Sequence, residues 1–199
     1  MIGGLMAVAQ LSVIAQDLGV RDIQVNFYFF TMAALPFTLM MNTIVNGLSR
    51  PIFGGLSDRI GREMVMFIAF SLEAIGILAL GWYGSNHWAF IVLSGVVFFA
   101  WGEVYSLFSA TAGDTFGTKH IGKIYGLLYC SKGVAALLVP FGNVLMEATG
   151  SWTSVLYTMA VLDLGAAIAA ILILRPMRRR HAQADAALGL RQKSILAEG

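Results

Sequence analysis

The stretch IYGLLYCSKGVAALLVPFGNVLM, residues 124–146, decides how this chain folds. It is apolar over a length that crosses a bilayer, since a helix rises ~1.5 Å per residue and a hydrocarbon core is ~30 Å thick. Its one charged residue, Lys132, sits well inside it. A second apolar stretch holds Arg50 in the same way. Ionisable groups in hydrocarbon cost roughly 2.5–3.5 kcal/mol each on insertion scales, and they usually face a polar cavity, a counter-charge or a bound solute. Two cations with no obvious acidic partner at their depth point to an anion site inside a membrane protein.

Composition agrees with that reading. The chain has 199 residues, 58% of them hydrophobic and 12% charged, with a mean hydropathy of +0.76. A soluble domain is about 25% charged, so one soluble core cannot hide this much apolar surface and lipid must act as solvent outside. The 22 glycines suit close helix–helix packing in membranes. Cys130 is the only cysteine, which excludes an intrachain disulfide. His87, His120 and His181 are scattered over loops and tail, without metal-ligand spacing or a nucleophile–base arrangement. Neither an enzyme, a metal, a cofactor nor a nucleic-acid partner is expected.

Working outward, hydropathy predicts six spans: Met1–Ala15, Val25–Gly55, Met64–Tyr83, Trp88–Phe108, Ile124–Met146 and Ser154–Leu174. The fold class is an all-α polytopic membrane protein. Residues 1–174 form a six-helix transmembrane bundle, and residues 175–199 form a basic tail. The first span gives only about 22 Å at helical rise and reads as a truncated helix. Pro36 is placed to kink the long second span.

Alternate breaks between spans differ in charge. Arg59 and Arg62 occupy one, Lys119 and Lys123 another, and Arg175, Arg178, Arg179 and Arg180 follow the last span. The intervening breaks hold Arg21 and no other lysine or arginine. By the positive-inside rule the basic loops and the tail are cytoplasmic. Six spans then put both termini inside a multi-pass protein of the inner or plasma membrane. The basic start of the tail is expected to anchor the last helix at an anionic leaflet.

Between the second and third spans stands Gly-Gly-Leu-Ser-Asp-Arg-Ile-Gly-Arg-Glu, residues 54–63. Gly54 and Gly55 are expected to permit close packing, and Gly61 to allow the reversal of direction. Asp58 supplies a carboxylate at the membrane edge, and Arg59 and Arg62 hold the basic side. The segment resembles the G-x-x-x-D-R-x-G-R-[KR] loop of the major facilitator superfamily, which joins the second and third helices of each six-helix half. That resemblance implies a conformational gate made of Gly54, Asp58, Arg59, Gly61 and Arg62. Glu63 departs from the usual basic final position, so the charge network there is expected to differ.

Depth arithmetic brings three spans together. Arg50 precedes Asp58 by eight residues, Lys132 follows Lys123 by nine, and Trp101 precedes Ser109 by eight, which is about 12–14 Å of helix in each case. Neighbours three and four apart share a face. Thr43, Asn46 and Gly47 therefore accompany Arg50, and Tyr125, Tyr129 and Ala136 accompany Lys132. Phe98, Trp101, Tyr105 and Phe108 form an aromatic stripe. A cavity walled by these residues suits a small planar carboxylate, held by a bidentate guanidinium and a point-charge ammonium. The alternatives are that Arg50 snorkels or joins the gate network, and that Lys132 pairs with Glu73, Glu103 or Asp163. Glu103 is turned about 200° from Trp101 and is expected to face elsewhere.

Four stretches carry a further resemblance. They are Asn46-Gly-Leu-Ser-Arg-Pro-Ile-Phe-Gly-Gly-Leu-Ser-Asp-Arg-Ile-Gly-Arg-Glu, Trp101-Gly-Glu-Val-Tyr-Ser-Leu-Phe, Gly113-Asp-Thr-Phe-Gly-Thr-Lys and Gly126-Leu-Leu-Tyr-Cys-Ser-Lys-Gly. In these the chain is similar to the oxalate/formate antiporter family of the major facilitator superfamily. The resemblance implies that Arg50 and Lys132 bind substrate carboxylates and that Trp101 and Tyr105 line the cavity. It also implies that the chain corresponds to the C-terminal six-helix half of a twelve-helix transporter, whose N-terminal half would be a missing partner. The expected activity is exchange or symport of small carboxylates. A lactate- or pyruvate-type monocarboxylate transporter is the alternative in the same fold, and a non-transporting fragment or accessory membrane subunit is the alternative outside it.

Overall fold

Polar side chains mark where two helices begin. The carboxamide of Asn86 accepts from the backbone N–H groups of Trp88 and Ala89 at 3.0 and 3.3 Å, and Ser151 accepts from that of Thr153 at 3.1 Å. Each satisfies donors that a first helical turn leaves without partners. The computed structural model describes residues 2–26, 31–117, 121–184 and 186, together with all but a few of their side chains. Along it run α1 (Ile2–Asp17), a two-stranded hairpin of β1 (Gln24–Asn26) and β2 (Thr31–Ala33), α2 (Ala34–Ile60), α3 (Arg62–Tyr83), α4 (His87–Gly102), α5 (Val104–Phe116), α6 (Ile121–Leu137), α7 (Phe141–Thr149) and α8 (Trp152–Ala169). A π-helical turn, Ala170–Leu174, follows α8, and the α-helix then resumes through residue 184.

Among the described residues four helical rods are long and apolar enough to cross a membrane: Arg62–Tyr83, His87–Phe116, Ile121–Thr149 and Trp152–Ala184. The second of these is α4 plus α5, and the third is α6 plus α7. Helix α2 adds a fifth rod of 27 residues that carries Arg50, Asp58 and Arg59. Helix α1 is 16 residues long, roughly 24 Å at helical rise.

The second span begins later than the hydropathy predicts. Residues 24–33 belong to the hairpin, where Val25 pairs with Met32, and helix starts only at Ala34. Pro36 therefore falls in the first turn, where a missing N–H costs nothing, and it does not kink the rod. Pro51 is the proline inside α2. Helix also runs through stretches expected to be breaks. Thr115, for example, donates to the Thr111 carbonyl at 2.7 Å within α5, so its polarity is absorbed by its own helix. Leu174 is no boundary either, because the rod continues to Ala184.

Two apolar clusters form the interior. One joins α1, α3, α4 and α8 through Ile14, Ile77, Leu80, Phe90 and Met159. The other joins α2, α3, α5 and α8 through Phe53, Met66, Phe70, Leu107 and Ala167. Lipid tails are as apolar as leucine, so helices in a membrane associate through packing and polar contacts rather than hydrophobic expulsion. The α2–α4 seam has that chemistry. Thr38, Asn42 and Ser49 are fully buried on α2, and Asn46 on the same stripe donates its Nδ2 to the Phe98 carbonyl of α4 at 3.1 Å. Gly102 of α4 approaches so closely that an added Cβ would lie 2.4 Å from the Ser49 Oγ. By contrast, α6 buries only Ala135 and α7 only Gly142.

Candidate functional site

Arg50 from α2, Trp101 from the end of α4 and Tyr129 and Lys132 from α6 line one cavity of about 400 Å³. Gly102, Ser106, Phe108, Ser109, Tyr125 and Leu128 complete its wall. Each rod contributes for a local reason. The Asn46–Phe98 bond and the Gly102 contact hold α2 against α4, which brings Arg50 to the level of Trp101. On α6, Tyr125, Tyr129 and Lys132 are spaced by four and three residues and share a face. Arg50, Tyr125 and Tyr129 are exposed and Lys132 is half-buried, so the cavity is open on the α6 side.

The cavity offers a guanidinium, an ammonium and two phenols to a solute. Ser106 and Ser109 donate back to carbonyls of their own helix, at 2.7 Å to Glu103 and 3.1 Å to Ser106. Their hydroxyl protons are thus engaged, and the positive charge comes from Arg50 and Lys132. No acidic side chain lies within salt-bridge distance of Arg50 among the described residues. Glu73 and Glu103 are not partners of Lys132. Both are fully buried, and their carboxylate oxygens take no hydrogen bond among the described residues. Glu103, as expected, is absent from the cavity wall. Asn46, read from the sequence as a ligand, lies in the α2–α4 seam with its amide on the Phe98 carbonyl. The side chain of Tyr105, also read as a ligand, falls outside the described residues.

The loop at residues 54–63 forms the corner of a charge network. Helix α2 ends at Gly61, whose φ of 94° is open to glycine and strained for other residues. The chain enters α3 at once, and Arg62 turns back to bond Asp58 at 2.9 Å. Its Nε donates to Asp114 of α5 at 3.0 Å, and its Nη1 also donates to the Ser57 hydroxyl. Gly54 does not serve close packing within the described residues. An added Cβ there, or at Gly55, would meet nothing within 4 Å. Arg59 is exposed.

Glu63, the residue that departs from the loop pattern, has its partner on the extension beyond α8. Arg178 bonds Glu63 at 2.5 Å, donates its Nε to Thr115 at 2.9 Å and lies 4.0 Å from Asp114. His181 adds an edge-on contact with Phe116, ring centres 5.8 Å apart. Asp114 and Arg178 were not among the expected gate residues. The acid at 63, where a base is usual, was the signal that a basic partner had to be sought, and the tail holds the candidates. Ser106 and Ser109 were likewise missed as wall residues, although they flank the aromatic stripe on the next face.

Comparison with known proteins matches the chain over residues 1–197 to the family model described as Major Facilitator Superfamily. It is 31% identical over 141 residues to the oxalate:formate antiporter of Oxalobacter formigenes, covering 68% of this chain and 30% of that protein. It is 30% identical over 115 residues to the uncharacterized MFS-type transporter YfiU of Bacillus subtilis, covering 57% and 22%. It is 27% identical over 136 residues to the uncharacterized MFS-type transporter YhjX of Escherichia coli, covering 68% and 32%. The chain spans about a third or less of the length of these relatives.

Proposed function

The chain belongs to the major facilitator superfamily, and on that footing we propose that it supplies a six-helix half of a transporter for small carboxylates. The observation that carries the reading is the meeting of Arg50 and Lys132 on the wall of one cavity beside Trp101 and Tyr129. The guanidinium grips a planar carboxylate through paired N–H donors, while the ammonium supplies charge without fixed geometry. A dianion with two carboxylates can engage the guanidinium and the ammonium at once, whereas a lactate-like monoanion brings a single carboxylate to the pair. The antiporter of Oxalobacter formigenes carries oxalate and formate in its name, and exchange of such anions is the mode we assign. The transporter makes and breaks no bond.

The open α6 side is where a second helical bundle would close the cavity. Transporters of this architecture move a central site between two faces by rocking one bundle against the other. We assign the closing bundle to the remainder of a longer chain or to a partner. With the arginine-rich end inside, the positive-inside rule gives a multi-pass protein of the cell membrane with both termini cytoplasmic.

Trp101 offers a direct test on the purified chain. Oxalate should change tryptophan fluorescence saturably, and lactate should do so more weakly. Arg50→Ala and Lys132→Ala should each weaken oxalate by about tenfold or more, the loss expected when one charged partner of a buried anion is removed. Unaltered titrations in both variants would end the anchor assignment.

A further inference from the structure

Away from the anion cavity, a second cavity of about 370 Å³ opens between the α2–α3 turn and the extension of α8. Arg175, Arg178 and Arg179 line one side, and Ile60, Glu63 and Met64 line the other. The charge there is unbalanced. Glu63 is engaged with Arg178, while neither Arg175 nor Arg179 has an acidic side chain within salt-bridge distance among the described residues. Those two arginines are one helical turn apart and share a face.

The π-helical turn Ala170–Leu174 sets that face. It widens one turn of the helix, with the Arg175 N–H reaching the Ala170 carbonyl, and so advances everything beyond it relative to α8. Glu63 stands in the first turn of α3 and offsets the positive end of that helix, so the cationic character of the hollow rests on its arginines. Directly before the arginines, Leu172 and Ile173 are exposed, and Met177 is exposed among them. An apolar strip thus leads up to a cationic hollow.

We propose that this hollow binds the phosphate of an anionic phospholipid headgroup, held by Arg175 and Arg179, with the acyl chains lying along Leu172 and Ile173. Basic hollows between membrane helices recognise such headgroups by charge and by the paired N–H donors of arginine. Free phosphate shares the headgroup chemistry, but it would gain nothing from the apolar strip. Arg178 lines both this hollow and the Asp58–Arg62–Asp114 network, so a bound headgroup would sit beside the gate and compete with Glu63 for Arg178.

The test is titration of the full chain in detergent with dihexanoyl phosphatidylglycerol, dihexanoyl phosphatidylcholine and inorganic phosphate, read by native mass spectrometry and by the shift in thermal unfolding. Phosphatidylglycerol should bind and stabilise on the order of tenfold more tightly than either of the others. Arg175→Gln with Arg179→Gln should abolish that preference. Lys123→Gln with Arg180→Gln removes the same charge outside the hollow and should keep it. Equal binding of the two lipids, equal binding of phosphate and phosphatidylglycerol, or equal loss in both double variants would overturn the proposal. Because the lipid comparison on the unaltered chain is decisive by itself, a variant that misfolds leaves the test intact.

Discussion

Arg50 and Lys132 carry the same charge and are not interchangeable. Arg50 presents a rigid fork to a carboxylate, whereas Lys132 is a point charge on a pliant stem. Arg50→Lys is therefore expected to weaken oxalate binding by about tenfold, close to a lost hydrogen bond to a charged group. Lys132→Arg should change it much less if the larger group is accommodated. Isothermal titration of both variants decides the point, and equal losses would argue against paired recognition by Arg50. The cations were legible from the sequence because charge in an apolar stretch is conspicuous. Asn46 was read as a ligand because three- and four-residue spacing identifies a helical face, while spacing alone does not say what that face meets. It meets the Phe98 carbonyl. Ser106 and Ser109 carried no such mark, since a serine in a membrane helix is as often bonded to its own backbone as to a solute.

Helices meet here where side chains are small. At Gly102 an added Cβ would lie 2.4 Å from the Ser49 Oγ and 2.7 Å from the Asn46 backbone carbonyl, whereas at Gly95 the nearest atom is the Asn42 Oδ1 at 3.7 Å. Gly102→Ala should then destabilise the bundle by about 1–3 kcal/mol through overpacking, and Gly95→Ala should be close to neutral. Thermal unfolding in one detergent compares them, and the order of the two is the part at risk. The rods themselves were legible, because runs of apolar residues near twenty long admit few structures in lipid. Their ends were not. Hydropathy sees a polar residue and predicts a break, but Thr115 bonds within its helix and the arginines after Leu174 extend theirs. The hairpin at residues 24–33 was hidden for the opposite reason, since Val25 and Met32 are apolar and read as more helix.

Across the whole molecule, the pair Glu63–Arg178 ties the first turn of α3 to the far end of the last rod. Both side chains are largely buried, with 15% and 21% exposure, so the pair is better placed than a surface ion pair. Glu63→Arg should be destabilising and Glu63→Arg with Arg178→Glu should recover most of the loss, with a coupling of about 1 kcal/mol. A double-mutant cycle by thermal unfolding measures it, and additive losses would mean the contact is incidental. The two cations differ in how their rods are held. Arg50 rides on α2, which is fastened to α4 by Asn46 and by the Gly102 contact. Lys132 rides on α6, which buries a single residue of its own, and sparsely buried elements are those that open at low free-energy cost. In the carboxylate site proposed above, the pair would be a caliper with one fixed jaw and one floating jaw. Such a gauge adjusts its opening through the looser rod while the other keeps its register.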